Sequence, residues 1–115
     1  MKLLDRARDA ARNAVSASPS RPGIAVLHDT ADVRQVVFRL EAGQSVPLHR
    51  SVSTVLLTVL EGIGVLSGED DGMPVDRRCA VGDVVAYAPN ELHGMRAESE
   101  QLLLLATITP RPGAR

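Results

Sequence analysis

The chain has 115 residues, a formal net charge of -1, 44% hydrophobic and 23% charged residues, as expected for one soluble globular domain around a single core. That balance leaves no basic cluster for phosphate backbones, and with Phe38, Tyr87 and no tryptophan there is little on which bases could stack, so nucleic acid is not an expected partner. Cys79 is the only cysteine, which excludes an intrachain disulfide and a thiolate zinc site. No apolar run approaches the roughly 18–20 residues of a membrane span, and the N-terminus lacks the apolar core of a signal peptide. The expected location is the cytoplasm, with no membrane partner.

Residues 1–22 read as an arm and linker. The first 14 or so are rich in Ala and Arg, with Leu3, Leu4, Ala7, Ala10, Ala11 and Ala14 at helical spacing. Asp5 with Arg8 and Asp9 with Arg12 are opposite charges at i,i+3. This is either a short surface helix with a frayed end or an arm that packs on a partner subunit. "SASPSRPG" breaks the pattern with two prolines.

From residue 23 to 110 the texture is all-β: short strands divided by turn signals. The candidate strands are "IAVLH", "VRQVVFRL", "VPLH", "TVLLTVL", "IGVLSG", "MPVDRRCA", "VVAYA", "LHGMRA" and "LLLLATIT", and a tail from 111 to 115 follows. "VLLTVL" and "LLLLATI" are apolar at both parities, so one face should line a barrel and the other lie under a neighbouring sheet or subunit. The acidic stretch Glu69, Asp70, Asp71 lacks the spaced oxygen ligands of an EF-hand and reads as a solvated hairpin tip. Arg77 and Arg78 read as charges on an edge strand that discourage pairing between molecules.

Two stretches resemble the motifs of the cupin superfamily. The first, G-x5-H-x-H-x3-4-E-x6-G, is matched by Gly43 and His49, with Ser51 at the second histidine position and Val55 at the glutamate. "VLEGIG" is similar to the turn that closes it. The second, G-x5-P-x4-H-x3-N, is matched by Gly82, Pro89 and His93, with the spacing to Pro89 one residue longer, that from Pro89 to His93 one shorter, and Ala97 at the final position. The resemblance implies an all-β cupin double-stranded β-helix, a jelly-roll barrel of RmlC-like type, over residues 23–110. It also implies a homodimer, often through strands exchanged at the edge.

The family's metal sites use three imidazoles and one carboxylate. Here the resemblance leaves His49 and His93 as the candidate ligands of one divalent transition metal (iron, nickel, zinc, manganese or copper), or of none. Neutral imidazole suits those ions, but Ser51 stays protonated at neutral pH and Val55 cannot ligate. His28 is a candidate third ligand from the first strand, against the plainer reading of an edge histidine. By alternation, Ser51, Val55, Leu57 and Val59 should share a face with His49, and Met95 and Ala97 with His93. These six would line an apolar pocket with two imidazoles at one end, the general form of a small-molecule site. Three functions stand open: a cupin binding a small molecule, with or without a metal, through His49 and His93; a metal-dependent dioxygenase or isomerase; and two core histidines without further role. No catalytic residue can be assigned, and fold alone does not decide among them.

Overall fold

The structure, a computed structural model, describes residues 1–111; the tail from 112 on lies outside the described residues. One helix, α1 (Ala7–Arg12), precedes nine strands: β1 (Gly23–Asp29), β2 (Arg34–Leu40), β3 (Ser45–His49), β4 (Thr54–Glu61), β5 (Gly64–Asp70), β6 (Met73–Cys79), β7 (Val84–Tyr87), β8 (His93–Ala97) and β9 (Leu102–Thr109). Each candidate strand in the sequence corresponds to one of these. They form two antiparallel sheets, in the orders β1-β2-β9-β4-β7 and β3-β8-β5-β6. β1 and β2 pair across one sheet while β3, next along the chain, joins the other, which is the crossing-over of a jelly roll.

The core lies between the two inner faces. Leu40, Leu102 and Leu104 from one sheet meet Leu66, Met95 and Ala97 from the other. Leu40, Leu102 and Leu104 are fully buried, each worth about 1.5–3 kcal/mol relative to exposure. β9 explains its own double-sided hydrophobicity. Leu102, Leu104 and Ala106 face the core, while Leu103 and Leu105 face outward into a second cluster with Val37, Ala11 and Ala7.

That second cluster bears on the arm. α1 is shorter than the first 14 residues suggest, and it is a short surface helix on the outer face of its own sheet, with Ala11 wholly buried. Small alanines let the helix approach closely. Of the two charge pairs read from the sequence, Asp9–Arg12 is formed at 3.5 Å. Arg12 also reaches Glu61 on β4 at 2.8 Å. The linker is held by Arg39, which donates to the carbonyls of Arg12 and Ala14 and to the Ser16 hydroxyl. Gly23 is required here, because a Cβ at that position would collide with the Ala14 carbonyl.

The β5–β6 hairpin turns at Asp71 and Gly72, both with positive φ, the two-residue turn whose twist matches paired strands. Arg77 and Arg78 are exposed on β6, the edge of its sheet. Glu69 departs from the tip reading: it belongs to β5 and its carboxylate is engaged elsewhere. Among the described residues no helix is long and apolar enough to cross a membrane.

Candidate functional site

At one end the two sheets part around a cavity of about 510 Å³. Its walls are apolar: Phe38 from β2, Val46 from β3, Val55 and Leu57 from β4, Met95 from β8, Ala106 and Ile108 from β9. His49, Arg50, Ser51 and Val52 stand along its mouth and His93 lies within. Of the pocket residues expected from strand parity, Ser51, Val55, Leu57 and Met95 line this cavity. Val59 and Ala97 face inward as well, but they sit in the packed core and do not reach it. His28 is on β1, outside the cavity lining. Phe38, Ala106 and Ile108 were missed by motif spacing; the inward parity of β2 and β9 was the signal that could have found them.

His49 and His93 are brought together. They are cross-strand partners in the β3–β8 pairing, and their ring centroids are 4.0 Å apart with the planes inclined by 60°. The register explains how. Val46 pairs with Met95 and His49 with His93, so three steps along β3 match two along β8, a β-bulge. In a regular strand Val46 and His49 would face opposite sides. The bulge places both toward the cavity and turns Leu48 out to solvent.

Both rings are oriented the same way. His49 Nδ1 lies 2.9 Å from the Pro47 carbonyl and His93 Nδ1 lies 3.2 Å from the Glu91 carbonyl. A carbonyl oxygen only accepts, so in each neutral ring Nδ1 carries the hydrogen and Nε2 keeps its lone pair. His93 is buried, and burial lowers its pKa below the ordinary 6.5; the nearby His49 lowers it further, while the Glu91 carbonyl works the other way. Tyr87 packs against His93 at 5.1 Å between centroids. Its hydroxyl donates to the Ser67 carbonyl at 3.0 Å, and burial pushes its pKa up to about 12.

The cavity mouth is tied by charge. Arg50 donates to Glu69 at 2.9 Å and to the Asn90 carbonyl at 2.6 Å. Glu69 also accepts the Leu92 amide at 2.9 Å, and this bond, with Arg50, holds its carboxyl below the usual range. Ser51 Oγ accepts the Ser53 amide at 3.1 Å, and the Asn90 amide donates to the Ser51 carbonyl. The segment after His49 and the segment before His93 are thus fastened to each other.

No family model matches the sequence, and no curated protein matches it. Solved structures do. An RmlC-like cupin protein from Desulfovibrio desulfuricans is 28% identical, with a TM-score of 0.72 over 85% of this chain and 91% of that one. A conserved protein with a double-stranded β-helix domain from Klebsiella pneumoniae is 20% identical, with a TM-score of 0.77 over 91% and 90%. KdgF from a Halomonas species is 19% identical, with a TM-score of 0.74 over 84% and 86%. The chain is therefore a double-stranded β-helix protein with a cavity between its sheets. Its fold is that of the RmlC-like cupins.

The residues present do not fit a resident divalent cation of the kind the fold suggests. Val55 is buried at the position of the family's carboxylate. Among the described residues no three His, Cys, Asp or Glu side chains are placed to hold an ion together. Glu69 does not line the cavity, and its carboxylate is paired with Arg50 and the Leu92 amide. Two neutral imidazoles would leave both positive charges of the ion uncompensated between apolar walls.

Proposed function

We propose that the protein is a metal-independent small-molecule-binding cupin whose ligand occupies the cavity beside His49 and His93. The observation that carries this reading is the cavity itself: about 510 Å³ of apolar wall with two imidazoles and a hydroxyl at one end and no carboxylate beside them. That volume lies within the range of small-ligand sites. Binding or sensing needs only such a shaped pocket, whereas metal-dependent oxygenation or isomerisation needs a donor set not found among the described residues.

The test combines metal analysis of untagged protein with ligand retention. The expected result is substoichiometric metal, unchanged in His49→Ala and His93→Ala, together with saturable binding of small apolar compounds that a cavity-filling Ala106→Phe abolishes. Stoichiometric metal that is lost in both histidine variants would overturn the proposal in favour of a metal enzyme. The protein is further proposed to act as a homodimer. Ile24 and Val26, exposed on the edge strand β1, support that arrangement, and sedimentation of the wild type against Val26→Lys tests it.

A further inference from the structure

We infer that the ligand is a neutral, largely apolar molecule presenting one hydroxyl group, whose hydrogen is received by an imidazole Nε2 of the His49–His93 pair. This rests on the reading of the cavity as a small-molecule site and goes on to name what the site selects.

The polar groups around the cavity decide the chemistry by elimination. An anionic ligand needs a cation whose charge is not already met. Among the described residues the only charged side chain on the lining is Arg50, and its charge is paired with the Glu69 carboxylate at 2.9 Å. A cationic ligand needs a carboxylate, and among the described residues none lines the cavity. A neutral ligand with acceptors alone, such as an ether, could accept from the Ser51 hydroxyl but would leave the lone pairs of the two Nε2 atoms unmatched. Both Nδ1 hydrogens are already spent on the Pro47 and Glu91 carbonyls. What the imidazoles lack is a donor.

A hydroxyl supplies one. Its hydrogen goes to Nε2, and its oxygen can accept in return from Ser51, whose Oγ accepts the Ser53 amide while its own hydrogen is left to donate. Phe38, Leu57, Met95 and Ile108 cover the rest of the molecule. Selectivity follows from desolvation: the imidazole lone pair of His93, in a residue only 6% exposed, goes unmatched whenever the bound molecule has no donor.

Four probes of similar shape separate the alternatives: para-butylphenol, para-butylanisole, butylbenzene and para-butylbenzoate, titrated calorimetrically into the full chain at neutral pH. The phenol is expected to bind about tenfold tighter than the ether and the hydrocarbon, the difference that an unsatisfied buried acceptor makes. In His93→Phe the phenol's advantage should shrink while butylbenzene binding persists. Imidazole nitrogen NMR of the wild type gives a readout independent of any variant: an Nε2 resonance should move with the phenol and not with butylbenzene. Tightest binding by the benzoate or the ether overturns the inference, as does equal binding of all four, which leaves the small-molecule site itself standing. Binding of none of the four by folded protein counts against the site and the inference together.

Discussion

Glu69 and Arg50 form an ion pair at 2.9 Å that joins β5 to the segment just after His49. Through the Leu92 amide the same carboxylate reaches the residue before His93. One side chain thereby fastens both histidine-bearing segments. Glu69→Gln keeps the shape and removes the charge, so both charge-assisted bonds weaken. Faster amide exchange at Leu92 and weaker binding of para-butylphenol are the expected outcomes, with the fold retained. An unchanged exchange rate at Leu92 would show that the loop holds without the carboxylate.

His93 makes stability depend on pH in a definite direction. Its folded pKa is lowered below 6.5 by burial, so between those two values the unfolded chain binds more protons than the folded one. Stability is then fully present above 6.5 and declines as pH falls toward the lowered value. Denaturant midpoints measured against pH should fall through that window, and His93→Phe should flatten this part of the curve. A wild-type midpoint that rises on acidification through the same window would contradict the assignment.

Val55 and Ser51 stand where the family motif has a carboxylate and an imidazole. Val55→Glu alone places an uncompensated charge in a buried site, at a cost of about 3–5 kcal/mol. The pair Ser51→His with Val55→Glu completes a three-imidazole, one-carboxylate set with His49 and His93. That double variant should take up one zinc or manganese ion per chain and gain thermal stability when the metal is added, whereas the wild type gains little. Thermal melts with and without metal check both statements.

Arg39 carries the linker through its bonds to the Arg12 and Ala14 carbonyls and to Ser16. Arg39→Ala removes these and leaves the carbonyl of buried Ala14 without its donor, for an expected loss of about 1–3 kcal/mol. Proteolysis should then cut first within residues 13–22, while the cavity keeps its affinity for para-butylphenol. Loss of ligand binding at the same time would mean that the arm supports the site.

Much of the fold is legible in the sequence because turns and strands alternate sharply. Gly62, for example, closes β4 at φ +86, where any Cβ would strike the Gln101 carbonyl. The pairing of His49 with His93 follows from the motifs, and the inward parity of Val55, Leu57 and Met95 from alternation. Other parts depend on contacts between residues distant in the chain. Glu69 looks like one of three acids at a tip until β5 carries it beside Arg50 and Leu92. The arm reads as a surface helix or a partner-binding arm until Val37 and Leu103 are seen to form an outer face for it. Val59 and Ala97 share a face with the pocket residues, yet parity carries no information about depth, and they fall in the packed core.

The bulge in β3 has an evolutionary consequence. It absorbs one residue between Val46 and His49 without moving the imidazole from its place opposite His93. A chain lacking Leu48 could pair regularly, with histidine two steps after Val46 and still facing inward. The site is thus buffered against a single-codon deletion at this point. Exchanging Leu48 and His49 while keeping the length would instead turn the imidazole outward if the bulge persists. A chain with Leu48 deleted is therefore expected to fold with its histidine opposite His93 and the same pocket.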